Sequence, residues 1–292
     1  RSMQLGGGGL IRVWDFGTGR VLSFDSLGAF RGSEHLNADS PVMARLNISD
    51  VSYVDPFRIR VTGDSVLFSS FSRGMTSTAD FSSGTLQMAD VDLAPGPELI
   101  RFNDHVRQGL ESQLEWAAVP LWDARQDLVA LWSPVLSQVI WMDGGGNRLA
   151  TVEVDWPEIE ISRKDIERYL RRMARLELGA QQELEDADIT RMARAVRDRF
   201  AEIHPGPVEL RLGTDGVIWL RLFDTTTDPL GKGRRWLRIS RKGDQEAYEF
   251  PETFVPMAFL ANGAYGVSRL QEGDQVLAWW SRFALVHELE SK

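Results

Sequence analysis

The strongest constraint on this chain is a strand–turn–strand unit that is written once in full and then returns in looser copies. The full copy spans residues 10–28. An apolar run closes on Trp14-Asp15, a glycine-containing turn follows, residues 20–24 alternate, and a second turn occupies residues 25–28. Alternation with period two turns one face of such a strand toward a core. A small meander of this kind cannot bury both its faces alone, so its copies must stack on one another. The repeat therefore predicts an all-β architecture and shifts the functional question from a single pocket toward surfaces.

Further copies follow. Residues 56–61 alternate, 62–65 read as a turn, and 66–71 continue as strand. Residues 72–84 are rich in Ser, Thr and Gly and read as a surface loop, and the Pro-Gly-Pro at 95–97 reads as punctuation. A second clear copy starts at Leu121, with strands over 128–132 and 138–143, a glycine turn over 144–146, and Val152, Val154 and Trp156 sharing one face of a third strand. From Val208 the strand period returns, with turns at 213–216 and 241–244. A final unit runs from Met257 to Trp280. Five units are visible, at about 40 to 50 residues each.

Between Ile161 and Ile203 the apolar spacing is helical. Ser162 is placed to cap a helix, with Asp165 three residues on in the capping-box position. Ile166, Leu170, Met173 and Leu176 or Leu178 then form a stripe, and Gly179 reads as the stop. Ile189, Met192, Val196, Phe200 and Ile203 form a second stripe. The pair carries as many acidic as basic side chains, so the formal net charge of −9 lies elsewhere in the chain.

That charge excludes nucleic acid as the expected partner, since phosphate recognition needs a basic footprint. It also argues against electrostatic docking on anionic lipid. There is no cysteine, which excludes thiol catalysis, disulfides, thiolate zinc sites and iron–sulfur clusters. No apolar run approaches the roughly 20 residues a membrane-spanning helix needs. The sequence opens on Arg1-Ser2 rather than Met, which leaves room upstream for a signal peptide, a lipid-anchoring segment or further structure. Ten Trp and fourteen Phe against four Tyr suit sheets wedged together by flat side chains.

From Thr214 onward the order is specific. It runs Thr-Asp-Gly-Val-Ile-Trp-Leu at 214–220, Trp-Leu-Arg-Ile-Ser at 236–240, Lys-Gly-Asp at 242–244, Tyr-Glu-Phe-Pro at 248–251, Ala-Tyr-Gly-Val at 264–267 and Val-Leu-Ala-Trp-Trp at 276–280. With the Ser-Arg-Lys-Asp-Ile-Glu-Arg run at 162–168, the chain resembles a bacterial family of six-bladed β-propellers distantly related to NHL-repeat propellers. That family's blade turn, Asp-x-Gly-x-x-Arg-Val-x-x-Phe-Asp-x-x-Gly, is matched from Asp15 to Gly28, and its charged helical insertion by residues 161–203. The resemblance implies one β-propeller domain over residues 1–292, with a helical insertion at 160–204. It covers 10–36 and 121–285 best and 40–110 least. Most members are exported or lipid-anchored and have no assigned activity, which implies a periplasmic or other extracytoplasmic location.

The residues themselves offer little catalysis. His35, His105, His204 and His287 share no metal-ligand spacing, and His204 in His-Pro-Gly reads as a helix-end residue. The Asp-Gly clusters at 143–147, 215–216 and 243–244 lack the full calcium-loop pattern and read as hairpin turns. Gly6 to Gly9 is not a phosphate loop, and no Gly-x-Ser-x-Gly elbow is present. Trp14, Trp132, Trp141, Trp219 and Trp236 read as sheet-to-sheet packing. Trp279 and Trp280 are adjacent in a strand and must face opposite ways, which leaves one exposed. No catalytic, cofactor-binding or metal-ligating residue is assigned, and no cofactor is expected.

The expected function is accordingly a non-enzymatic binding or scaffolding propeller that docks other protein subunits at its rim. A periplasmic, membrane-extrinsic subunit of a larger membrane complex is the specific form, and a photosynthetic reaction centre–antenna complex is one concrete instance. The candidate partner-binding residues are Arg163, Arg168, Tyr169, Arg171, Arg172 and Arg175 on the insertion, with Trp279 and Trp280. The alternatives are a metal-dependent propeller lactonase or hydrolase and a small-ligand or glycan-binding module.

Overall fold

The computed structural model describes residues 2–5, 11–15, 18–35, 52–62, 65–72, 84–90, 95–101, 116, 118–156, 158–178, 185–226, 232–272 and 275–284. They form an all-β chain of five antiparallel meanders with two α-helices between the third and fourth, an architecture consistent with a β-propeller. The first sheet is β1 (Ser2–Leu5), β2 (Ile11–Asp15), β3 (Arg20–Phe24) and β4 (Phe30–His35). The second is β5 (Ser52–Thr62), β6 (Ser65–Ser72), β7 (Gly84–Asp90) and β8 (Pro95–Arg101). The third is β9 (Leu121–Arg125), β10 (Leu128–Ser133), β11 (Gln138–Asp143) and β12 (Arg148–Glu153). The fourth is β13 (Pro207–Leu212), β14 (Ile218–Phe223), β15 (Lys232–Ile239) and β16 (Gln245–Glu249). The fifth has three strands, β17 (Phe254–Leu260), β18 (Gly263–Glu272) and β19 (Gln275–Ala284). In every sheet, chain neighbours are sheet neighbours.

One five-residue turn recurs between the third and fourth strands of three sheets, at residues 25–29, 143–147 and 240–244. In each, the first residue's N–H donates to the carbonyl of the fifth, and the fourth residue's N–H returns to the first carbonyl, all at 2.9–3.1 Å. The first side chain accepts the N–H groups of the third and fifth residues: Asp25 those of Leu27 and Ala29, Asp143 those of Gly145 and Asn147, Ser240 those of Lys242 and Asp244. The fourth residue is left-handed, with φ of 83° at Gly28, 84° at Gly146 and 98° at Gly243, a conformation glycine adopts without a steric penalty. The Asp-Gly clusters at 143–147 and 243–244 are thus turns whose polar side chains close the loop on its own backbone. The same backbone cycle closes residues 213–217 between β13 and β14, where the third residue, Asp215, accepts the Val217 N–H.

The chain divides into two compact units. The first comprises residues 1–113, 122–136 and 140–151. Its core sets Leu67, Leu86 and Ile100 of the second sheet against Trp122, Ala124, Val129, Leu131, Ile140 and Met142 of the third. Pro95-Gly-Pro lies within β8, not in a turn before it. The prolines are tolerated because β8 is the outer strand of its sheet and need not donate on both sides. The loop read at 72–84 lies almost wholly outside the described residues, as do His105 and His287.

The second unit comprises residues 114–121, 137–139 and 152–292. Its core joins Trp219 and Trp236 of the fourth sheet, with the flanking Val217 and Phe250, to Phe254, Phe259 and Ala264 of the fifth. Trp219 stacks on Phe259 at 4.6 Å between ring centroids and 21° between planes. Each such pair adds about 0.5–1.5 kcal/mol beyond the area it buries. Trp132, Trp141, Trp219 and Trp236 are all buried, as packing residues should be. Gly266 is fixed by close approach, because a Cβ there would lie 2.1 Å from the Val255 carbonyl oxygen.

Candidate functional site

The helical insertion belongs to the second unit. Helix α1 spans Arg163–Leu178 and helix α2 Asp186–Ala195, followed by a 3₁₀ turn at Arg197–Arg199. A short stalk ties the two ends of the insertion together. Ile161 N–H donates to the Glu202 carbonyl, His204 N–H to that of Ile159, and Glu160 bridges Ile203. α2 ends earlier than the apolar spacing predicts, since the chain tightens after Ala195. Its buried stripe is therefore Ile189 and Ala193, continued by Phe200, while Met192 is 40% exposed. On α1 the stripe stops short of Leu176, which is 55% exposed; Gly179 lies outside the described residues.

The start of α1 carries a dense polar cluster. Ser162 and Asp165 form the expected capping box. Asp165 accepts the Ser162 N–H at 2.8 Å and its hydroxyl at 2.6 Å, and Ser162 Oγ accepts the Asp165 N–H at 3.3 Å. Two longer-range groups complete the cluster. Thr225, in the loop after β14, donates its hydroxyl to Asp165, and Arg168 Nη1 reaches both Asp165 Oδ1 at 3.0 Å and Thr225 Oγ1 at 3.2 Å. Burial alone raises the Asp165 pKa. The hydrogen bonds from Ser162 and Thr225 and the Arg168 charge outweigh it, and the carboxyl sits below its ordinary value.

An aromatic knot lies under the helices. Trp116 meets Tyr169 at 5.3 Å, Phe200 at 5.0 Å and Phe223 of β14 at 5.0 Å, all edge to face, within the cluster of Ile161, Ile166, Ala193 and Phe200. His204 packs edge-on against Phe223 at 4.6 Å with its Nε2 buried and unpartnered. Burial holds the His204 pKa below its ordinary value, against the opposing charges of Asp165 and Asp224. His204 is thus part of the packed base of the insertion and not only a helix-end residue. Neither Trp116 nor Thr225 is marked by any local motif.

The sequence-derived candidates separate into three groups. Tyr169 points into the aromatic knot and is half-buried. Arg163, Arg168 and Arg171 pair with Glu167 (3.3 Å), Asp165 (3.0 Å) and Asp186 (2.7 Å); Arg163, Arg172 and Arg175 are exposed. Trp279 and Trp280 lie on β19, at the edge of the fifth sheet among the described residues, and both are exposed, at 49% and 72%. The expectation was that one of the two would be exposed. Trp279 is paired with Ser268 on the face that carries Ala264 and Phe283. Trp280 is paired with Val267 on the opposite face, with Tyr265 and Arg282. Among the described residues no three His, Asp or Glu side chains gather as a metal site, and no helix is long and apolar enough to cross a membrane.

Fold and surfaces together define a repeat-built all-β protein carrying an anchored, charged helical hairpin. No family model matches the chain, and no curated protein sequence matches it. Among solved structures it is similar to virginiamycin B lyase from Staphylococcus aureus, at 8% identity and TM-score 0.37, over 95% of this chain and 68% of that one. It is similar to a luciferin-regenerating enzyme at 11% identity and TM-score 0.38, over 93% and 71%. It is also similar to AztD from Citrobacter koseri, at 8% identity and TM-score 0.34, over 98% and 59%. Likenesses this distant leave family and activity open.

Proposed function

We propose that this chain is an extracytoplasmic, non-enzymatic binding or scaffolding module that holds protein subunits of a membrane assembly through its helical insertion and the edge of its fifth sheet. The observation that carries the reading is the division of labour on α1. Its apolar face is consumed in the aromatic knot, its first turn is clamped to the loop after β14 through Asp165 and Thr225, and its arginines lie on the remaining surface. A surface on a rigid support binds with little ordering cost, which suits a scaffold. Insertions in repeat architectures characteristically carry binding. Exposed Trp280 and Tyr265 on one sheet face offer the kind of aromatic anchor that dominates protein interfaces.

The test is purification of the full chain from native membranes in mild detergent. The proposal expects membrane subunits in fixed ratio, lost on Arg172→Gln or Trp280→Ala with the fold intact. A chain that purifies alone, or partners that ignore both substitutions, would sink it. The same exposed tryptophan also suits a glycan, and a soluble oligosaccharide that quenches wild-type but not Trp280→Ala fluorescence would favour that second reading.

A further inference from the structure

We infer that α1 is an electrostatic docking strip for an anionic phospholipid surface. The inference uses the insertion surface proposed above but reads its occupant as lipid headgroups. At 100° per residue, Lys164, Arg168, Arg171, Arg172 and Arg175 fall within an arc of about 100° on α1 and run about 16 Å along its axis. The opposite arc carries Ile166, Tyr169 and Leu170, which are packed in the insertion core. α1 carries six basic side chains, these five with Arg163, against three acids, Asp165, Glu167 and Glu177, on a chain whose formal net charge is −9. Asp165 caps the helix and pairs with Arg168, Asp186 of α2 pairs with Arg171, and Glu167 pairs with Arg163 and accepts the Thr190 hydroxyl, so the charge of the strip is met in part within the insertion. The cations are nonetheless concentrated on one strip, whereas the whole-chain charge alone argues against lipid.

One further feature favours a bilayer over an acidic protein. One turn beyond Arg172, on the border of the strip, Leu176 is 55% exposed, and Met192 of α2 is 40% exposed; apolar side chains beside a basic helical face seat below headgroup level.

The test uses the full chain with vesicles of phosphatidylglycerol and phosphatidylcholine, against phosphatidylcholine alone. Binding to the anionic vesicles, suppressed by high salt, is expected. Each removed strip cation should weaken partitioning about fivefold, so Lys164→Gln with Arg172→Gln should weaken it about 25-fold. A control pair, Arg241→Gln with Lys242→Gln, removes equal charge from an exposed turn and should bind like wild type. Circular dichroism melts establish that each variant is folded. Three results overturn the inference: no vesicle binding, equal binding to neutral vesicles, or equal weakening by both charge pairs. Binding to polyglutamate without binding to vesicles also overturns it, and assigns the strip to an acidic protein. Vesicles of pure lipid contain no protein subunit, so a failure to bind them overturns the lipid inference and leaves the scaffold reading to its own co-purification test.

Discussion

Thr225 donates its hydroxyl to the carboxylate of Asp165, 60 residues earlier in the chain, and so joins the first turn of α1 to the loop after β14. The bond spans the whole insertion in sequence. Its partners Ser162 and Arg168 make the carboxylate a four-way joint. Thr225→Val should cost about 1–2 kcal/mol, because the hydroxyl's bonds to Asp165 and from Arg168 are lost while Asp165 keeps its other donors. Asp165→Ala should cost more, since it also removes the cap. Chemical denaturation of the two single variants and the double variant checks this. The double should be less destabilised than the sum of the singles, because both act on one contact.

The same joint makes the insertion sensitive to acid. The folded pKa of Asp165 lies below its ordinary value of 3.8, so its contribution is complete above that value and is lost as pH falls through the lowered one. Unfolding free energy followed downward from pH 5 should fall in wild type and fall less steeply in Asp165→Asn. Parallel slopes would remove Asp165 from the explanation.

His204 acts in a neighbouring window. Its folded pKa is lowered by burial below 6.5, so the unfolded chain binds the proton first. Stability from this residue is complete above pH 6.5 and declines below it until the lowered pKa is reached. His204→Gln should flatten that part of the stability curve. A titration of the His204 ring by NMR should give a midpoint below 6.5; a midpoint above it contradicts the packing described.

Gly243 tests the recurring turn. A Cβ at this position meets nothing within 4 Å, so Gly243→Ala carries only the penalty of φ near 98°, about 1 kcal/mol. Gly266→Ala, with a carbonyl oxygen 2.1 Å from the added carbon, should be far worse. Thermal melts of the two variants should rank in that order.

Much of this was legible locally. The turn at residues 25–29 shows its aspartate and its glycine in sequence, and its copies at 143–147 and 240–244 keep the spacing. The capping box needs only Ser162 and Asp165. What was not legible depends on distance along the chain. Trp116 lies outside the repeat units, just before the copy that starts at Leu121, and only the fold brings its ring onto Tyr169, Phe200 and Phe223. Thr225 is an ordinary loop residue until α1 approaches it. In sequence, Pro95 and Pro97 read as punctuation because proline disfavours interior strands, yet an outer strand accepts them. Trp280 was legible as half of an adjacent pair that cannot both face one way. That Trp279 is exposed as well reflects where the fifth sheet's core ends, which no local pattern reports.

The central claim is that α1 and the fifth-sheet edge are binding surfaces and not merely solvated ones. Site-specific photo-crosslinkers at Arg172 and Trp280, with a control at Lys242, test it most directly in native membranes. The account predicts discrete membrane-protein or lipid adducts from the first two positions and none from the third. Equal, diffuse labelling from all three would contradict it.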